Sequence, residues 1–120
     1  MKNLEIENQL LELPKQIAET QTALYEMEMK IQNERDKLRK WEMKEMLDIT
    51  QELNENNKPK FSNESARLAE LESRKTNDYK TINDCIKELE NSKELLKIDF
   101  QKYSNLQSNL KAICYLNFKN

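Results

Sequence analysis

Not one of the 120 residues in this chain is glycine. Average usage of about 7% would place roughly eight in a chain of this length. Glycine supplies the unusual backbone angles of tight turns, β-bulges, phosphate-cradling loops and helix C-caps. A chain without it has few turns of any kind and must be built from long, uninterrupted elements. Pro14 and Pro59 are its two strong breakers.

The spacing of apolar residues identifies those elements as helices. In the first half an a/d frame runs Ile6, Leu10, Leu13, Ile17, Thr20, Leu24, Met27, Ile31, Glu34, Leu38 and Trp41. Beyond Trp41 it slips by one residue to Met46, Ile49 and Leu53, as a helix drifting from a strict 3.5-residue repeat does. In the second half one frame runs from Leu68 and Leu71 through Lys75, Asp78, Ile82, Cys85, Leu89, Ser92, Leu96, Asp99, Tyr103, Leu106 and Leu110 to Ile113. Neighbouring e positions are apolar as well, at Tyr79, Ile86, Phe100 and Cys114, which predicts a second helix touching more than one neighbour.

Between the two tracts, residues 54–63 hold four asparagines and Pro59 and no helical period, which reads as a loop. Lys58 precedes proline and is driven out of helical geometry. Ser62 or Asn63 offers an N-cap oxygen, and Glu64 sits well in the first turn that follows. The chain is therefore expected to be all-α, a single domain over 1–120. Helix 1 covers about 3–53 with a kink or break at Pro14, and helix 2 about 64–117. A short loop between two long amphipathic helices makes a long antiparallel two-helix coiled-coil hairpin. Residues whose numbers total about 118 should then face one another, Leu38 against Tyr79 for example. At 1.5 Å per residue each arm would be roughly 70 Å long. The polar a/d residues fall into two layers, Thr20 with Asp99 and Glu34 with Asn83–Cys85. Tyr25, Met29, Met43, Leu47, Leu95 and Phe100 lie off the expected seam. Burying them predicts a homodimer or higher oligomer, built as a four-helix bundle.

Charge and composition bear on function. The balance of 20 basic and 22 acidic residues leaves a net charge of −2, with no global attraction to nucleic acid or an acidic membrane. Histidine, the commonest general base and metal ligand, is absent. Cys85 and Cys114 are isolated thiols of the kind a reducing cytosol holds. The expectation is a non-enzymatic protein that needs no cofactor and no metal. The opening Met1-Lys2-Asn3-Leu4-Glu5 has no signal-peptide character, and no apolar run approaches the ~20 residues of a membrane span. A cytoplasmic location with no membrane partner is expected.

One region stands out. All four arginines, Arg35, Arg39, Arg67 and Arg74, lie near the loop with the single tryptophan, Trp41, and with Lys58, Lys60 and Phe61. Basic side chains with aromatic neighbours suit phosphate contacts plus base stacking. These eight residues are the candidate contacts for a partner protein or for nucleic acid. Interleaved acid opposes the second option, since residues 30–80 carry 12 basic against 11 acidic side chains.

The run from Trp41 through Lys58-Pro59-Lys60-Phe61-Ser62-Asn63-Glu64-Ser65-Ala66-Arg67, then Tyr79 and the 89–116 coil, resembles small helical-hairpin proteins of phages and prophages. The Leu10-Leu11-Glu12-Leu13-Pro14 opening is similar too. Such proteins are encoded among early replication and recombination genes of Gram-positive bacteria. The resemblance implies an accessory protein of phage DNA metabolism that contacts itself and a phage or host replication or recombination protein. Binding to nucleic acid is the alternative, and a purely structural coil the third reading.

Overall fold

The computed structural model describes residues 3–119, with side chains from Leu4 to Asn117. The described chain is all-helical, with α1 over Asn3–Gln51, α2 over Glu64–Ser73 and α3 over Asn77–Lys119. The 49 residues of α1 run through Pro14 without interruption. Thr20, Thr22 and Thr50 stay compatible with the helix because each hydroxyl donates to the carbonyl four residues back, at 2.8, 3.0 and 2.8 Å.

The second arm is not the single helix the sequence predicts. It breaks at residues 74–76, between α2 and α3. The Arg74 amide closes α2 by donating to the carbonyls of Glu70 and Leu71, both at 3.1 Å. Ser73 Oγ takes the Glu70 carbonyl as well, at 2.7 Å. Thr76 then starts α3, its carbonyl accepting from the Lys80 amide at 3.1 Å, with Asp78 in the first turn. Thr76-Asn77-Asp78 is a helix-start signal, because such side chains cap N-termini and an acid there complements the helix dipole. A regular apolar frame carried across it concealed the break.

The chain divides into two compact units. Unit 1 comprises Met1–Met29 with Leu89–Asn120, and unit 2 comprises Lys30–Glu88. In unit 1 the core is Ile6, Leu13 and Leu110, with Leu10, Tyr103 and Cys114 packed on it. In unit 2 the buried side chains are Ile31, Ile49 and Ile86. Each such side chain contributes about 1.5–3 kcal/mol of burial.

The α1 frame holds from Ile6 to Trp41, and the slip at Met46 and Ile49 turns both inward; Leu53, expected to follow them, is exposed and bridges to Pro59. The α3 seam differs from the expected one. A seam of enclosed or half-buried positions runs Tyr79, Ile82, Ile86, Leu89, Lys93, Leu96, Phe100, Tyr103, Gln107, Leu110 and Cys114, with Asn83, Cys85, Glu90 and Ser104 half-buried beside it. The seam positions step by three and four without a fault. One expected column (Ile82, Leu89, Leu96, Tyr103, Leu110) is present; of the other, Cys85 is half-buried as expected, while Asp78, Ser92, Asp99, Leu106 and Ile113 are exposed and the inward positions lie one residue later. Tyr79, Ile86, Phe100 and Cys114 are thus the seam itself and not a second face. The frame drawn from Leu68 keeps one column across the break; the second column differs because Tyr79, Ile86 and Phe100 are apolar where Asp78, Ser92 and Asp99 are polar.

Register follows the same logic. Lys93 pairs with Glu28 in unit 1, and Tyr79 with Glu42 in unit 2, so facing numbers total 121 in both. The expected value of 118 placed Tyr79 on Leu38; it lies on Trp41 instead. The irregular residues 74–76 occur in the second arm alone, which offsets the register from that of a symmetric loop. The polar layers also resolve differently. Buried Thr20 is satisfied within its own helix while Asp99 is exposed, and Glu34 pairs with Lys37 at 2.8 Å on its own helix.

Candidate functional site

The candidate residues cluster in unit 2, around the loop. Asn54 organises that loop by accepting on Oδ1 from the amides of Asn56 and Lys58, at 2.9 and 3.1 Å. Its own amide donates to the Lys58 carbonyl at 2.8 Å, and the Lys60 amide donates to the Glu52 carbonyl at 2.9 Å. Asn57, at φ 58°, takes the left-handed conformation that glycine would ordinarily fill. A chain without glycine thus makes its tight turn with asparagine. On the exit side Asn63 caps α2, its Oδ1 accepting from the Ala66 amide at 2.8 Å.

Arg74 is the strongest electrostatic feature of the unit. Its Nε donates to Glu70 Oε1 at 2.8 Å and its Nη2 to Glu52 Oε2 at 2.6 Å, while Nη1 lies 3.7 Å from Glu45 Oε2. Carboxylates from α1, from the loop entry and from α2 therefore converge on one guanidinium. Hydrogen bonding to Arg74 holds the Glu52 carboxyl below its ordinary range, and the bonds to Glu70 and Glu52 raise Arg74 further. None of the ten residues of α2 is buried, so this clamp is a principal tie between α2 and α1.

A second cluster sits beside it. The rings of Trp41 and Tyr79 lie 4.9 Å apart and tilted by 53°, within the centroid distance at which aromatic pairs attract. Tyr79 Oη donates to Glu42 Oε1 at 2.7 Å. Lys75 Nζ stands 4.8 Å from the Tyr79 ring centre and 2.7 Å from Glu72 Oε2. Bonding to Glu42 raises the Tyr79 phenol above its ordinary value, as does burial. Lys75 is raised mainly by Glu72.

Each expected contact residue has a definite place. Arg74 is in the clamp. Arg39 is exposed and bonded to Asp36 Oδ1 at 2.8 Å. Half-buried Arg67 donates from Nε to the Phe61 carbonyl at 3.1 Å. Phe61 is half-buried, with Lys60 Nζ 5.5 Å from its ring centre and 3.7 Å from Glu52. Trp41 is half-buried against Tyr79, and Arg35 and Lys58 are exposed. The structure brings Lys60, Phe61 and Arg67 together and sets Trp41 in a different cluster.

Sequence reasoning missed the acidic half of the site: Glu42, Glu45, Glu52 and Glu70. Glu70 lies four residues before Arg74, a spacing that signals a helical ion pair. The 22 residues between Glu52 and Arg74 leave no such signal. Among the described residues no group of three or more His, Cys, Asp or Glu is arranged to hold a metal ion. No helix of the described residues is long and apolar enough to cross a membrane.

Comparison with protein-family models, with curated proteins and with solved structures yields no match.

Proposed function

We propose that this chain is a non-enzymatic helical interaction module, a coiled-coil hairpin that associates with further copies of itself and with a partner protein. Its setting, the cytoplasmic replication and recombination machinery of a phage or prophage, rests on the resemblance carried by residues 10–14 and 41–67. Against an enzyme stand the lack of histidine as a general base and of a glycine-rich loop for phosphate.

The observation that carries the reading is a row of large apolar side chains on the outer flank of α1. Leu4, Leu11 and Tyr25 are 68, 77 and 66% exposed, and with Ala18 they recur every seven residues, followed by Met29. Such a stripe on the side away from the helix seam is the kind of surface that docks a protein. Protein contact is also favoured over nucleic acid by the engagement of the arginines. Arg74 faces three carboxylates, Arg39 is bonded to an aspartate, and Arg67 donates to a backbone carbonyl.

The test is affinity capture from cells carrying the natural gene neighbourhood, comparing the natural chain with Leu11→Asp/Tyr25→Asp. The reading requires the natural chain to retain a specific protein that the variant loses while keeping its helical circular dichroism. Identical capture by both removes the α1 flank as the contact surface. Salt-sensitive DNA binding, with affinity falling steeply between 50 and 200 mM salt, would favour the nucleic-acid alternative instead.

A further inference from the structure

The outer flank of α3 in unit 1 carries a separate stripe. Leu95, Ile98, Leu106, Ile113 and Leu116 are 65, 52, 41, 42 and 57% exposed. With the exposed Lys102, Asn105 and Asn109 they fall within about 100° of one another on a helix of 3.6 residues per turn. None of them belongs to the seam that holds α3 against α1.

The stripe is palindromic. From Leu95 the steps are three, four and three, through Ile98 and Lys102 to Asn105. From Leu116 backwards they are again three, four and three, through Ile113 and Asn109 to Leu106. In an antiparallel two-fold pair residue i of one copy meets residue j of the other while j meets i. Under that rule Leu95 is matched with Leu116 and Ile98 with Ile113, so apolar residues meet apolar ones at both ends of the stripe.

We propose that a second copy of this chain docks antiparallel along the α3 stripe, with the two-fold axis between Asn105 and Leu106. Leu95 then meets the second copy's Leu116, Ile98 meets its Ile113, and Lys102 meets its Asn109. The charges agree with this direction. The charged residue on the stripe is Lys102, which faces the second copy's Asn109 in the antiparallel register, so no like charges oppose. A parallel, in-register pair would set Lys102 against itself, a repulsive arrangement. The stripe spans roughly 30 Å of helix at 1.5 Å per residue.

The inference deepens the interaction-module reading by naming one contact surface and its symmetry, and it uses a different helix from the α1 flank. Its test combines mass and proximity. Sedimentation equilibrium of the full chain at tens of micromolar is expected to give a dimer. Ile98→Asp/Ile113→Asp, which leaves the seam intact, is expected to weaken dimerisation roughly 100-fold, about tenfold for each of the two symmetry-related Ile98–Ile113 contacts, with helical circular dichroism unchanged. In a Cys85→Ser/Cys114→Ser background, Asn105→Cys is expected to cross-link between copies under mild oxidation. Leu95→Cys alone is not, because its two copies would lie roughly 30 Å apart. A monomeric natural chain, an oligomer indifferent to Ile98→Asp/Ile113→Asp, or equal cross-linking at 95 and 105 overturns the proposal. So does a monomer whose stripe is covered only on anionic phospholipid vesicles. A monomer that still loses its captured protein on Leu11→Asp/Tyr25→Asp would overturn this proposal and leave the interaction-module reading standing.

Discussion

Tyr79 donates its phenolic hydrogen to Glu42 Oε1 at 2.7 Å, joining residues 37 positions apart in the chain. The same ring leans on Trp41 and lies beneath the Lys75 ammonium. One side chain thus contributes apolar packing, a charge-assisted hydrogen bond and a cation–π interaction to the start of α3. These separate by substitution. Tyr79→Phe keeps the ring and is expected to cost about 1 kcal/mol, the net worth of a half-buried hydrogen bond. Tyr79→Ala removes the ring too and is expected to cost about 3 kcal/mol. Urea denaturation monitored by Trp41 fluorescence measures both, and equal losses would show that the ring contributes little.

Alkali acts on the same bond. Glu42 and burial raise the Tyr79 phenol above its ordinary value, with Lys75 opposing. A group raised on folding stabilises the fold fully below its unfolded value, and that contribution disappears as pH rises through the folded value. Stability is therefore expected to fall above about pH 10, less steeply in Tyr79→Phe. Chemical denaturation between pH 9 and 11.5 checks this, and parallel profiles for the two proteins would refute it.

Acid acts on the other side of unit 2. Arg74 depresses Glu52, so the Glu52 contribution is complete above its unfolded value and is lost as pH falls through the lower folded one. Protection factors of the α2 amides, Glu64–Ser73, against hydrogen exchange are expected to fall below about pH 4.5 while the amides around Ile31 and Ile86 stay protected. Arg74→Lys is expected to accelerate α2 exchange already at pH 7, since an ammonium cannot reproduce the guanidinium fork. Unchanged exchange in that variant would count against the clamp.

Lys93 stands in the α3 seam where the heptad asks for an apolar residue, and it is paired with Glu28. Lys93→Met/Glu28→Leu is expected to be neutral or to raise stability by about 1 kcal/mol, because both charges are partly desolvated. It is also expected to loosen register, as polar seam residues are what fix it. Thermal melting reads the first effect and disulfide trapping between the arms reads the second.

Much of the fold is legible in the sequence. The α1 seam from Ile6 to Trp41 follows its apolar residues because nothing interrupts the helix that carries them. The α3 seam is half legible. Ile82, Leu89, Leu96, Tyr103 and Leu110 are expected inward and lie there, but their companions sit one residue later than the frame predicts. The cause is physical: Tyr79, Ile86 and Phe100 are apolar and turn inward where Asp78, Ser92 and Asp99 are polar and stay in solvent. The break at 74–76 is hidden because its signal, Thr76-Asn77-Asp78, is local while the apolar period is not. Asn63 as the α2 cap is legible from its type and place. The Arg74 clamp is not, since its Glu52 and Glu45 partners become neighbours only through the loop geometry that Asn54 and Asn57 create.

The antiparallel packing of Ile6 and Leu13 against Leu110 has a mechanical consequence for unit 1. The outer ends of α1 and α3 emerge side by side, so tension applied at Leu4 and Leu116 loads one seam layer at a time. The unit would peel rather than shear, opening at low force in small successive steps. Tension from a partner held at both ends would therefore be released gradually, as a zip fastener releases, without a single abrupt rupture.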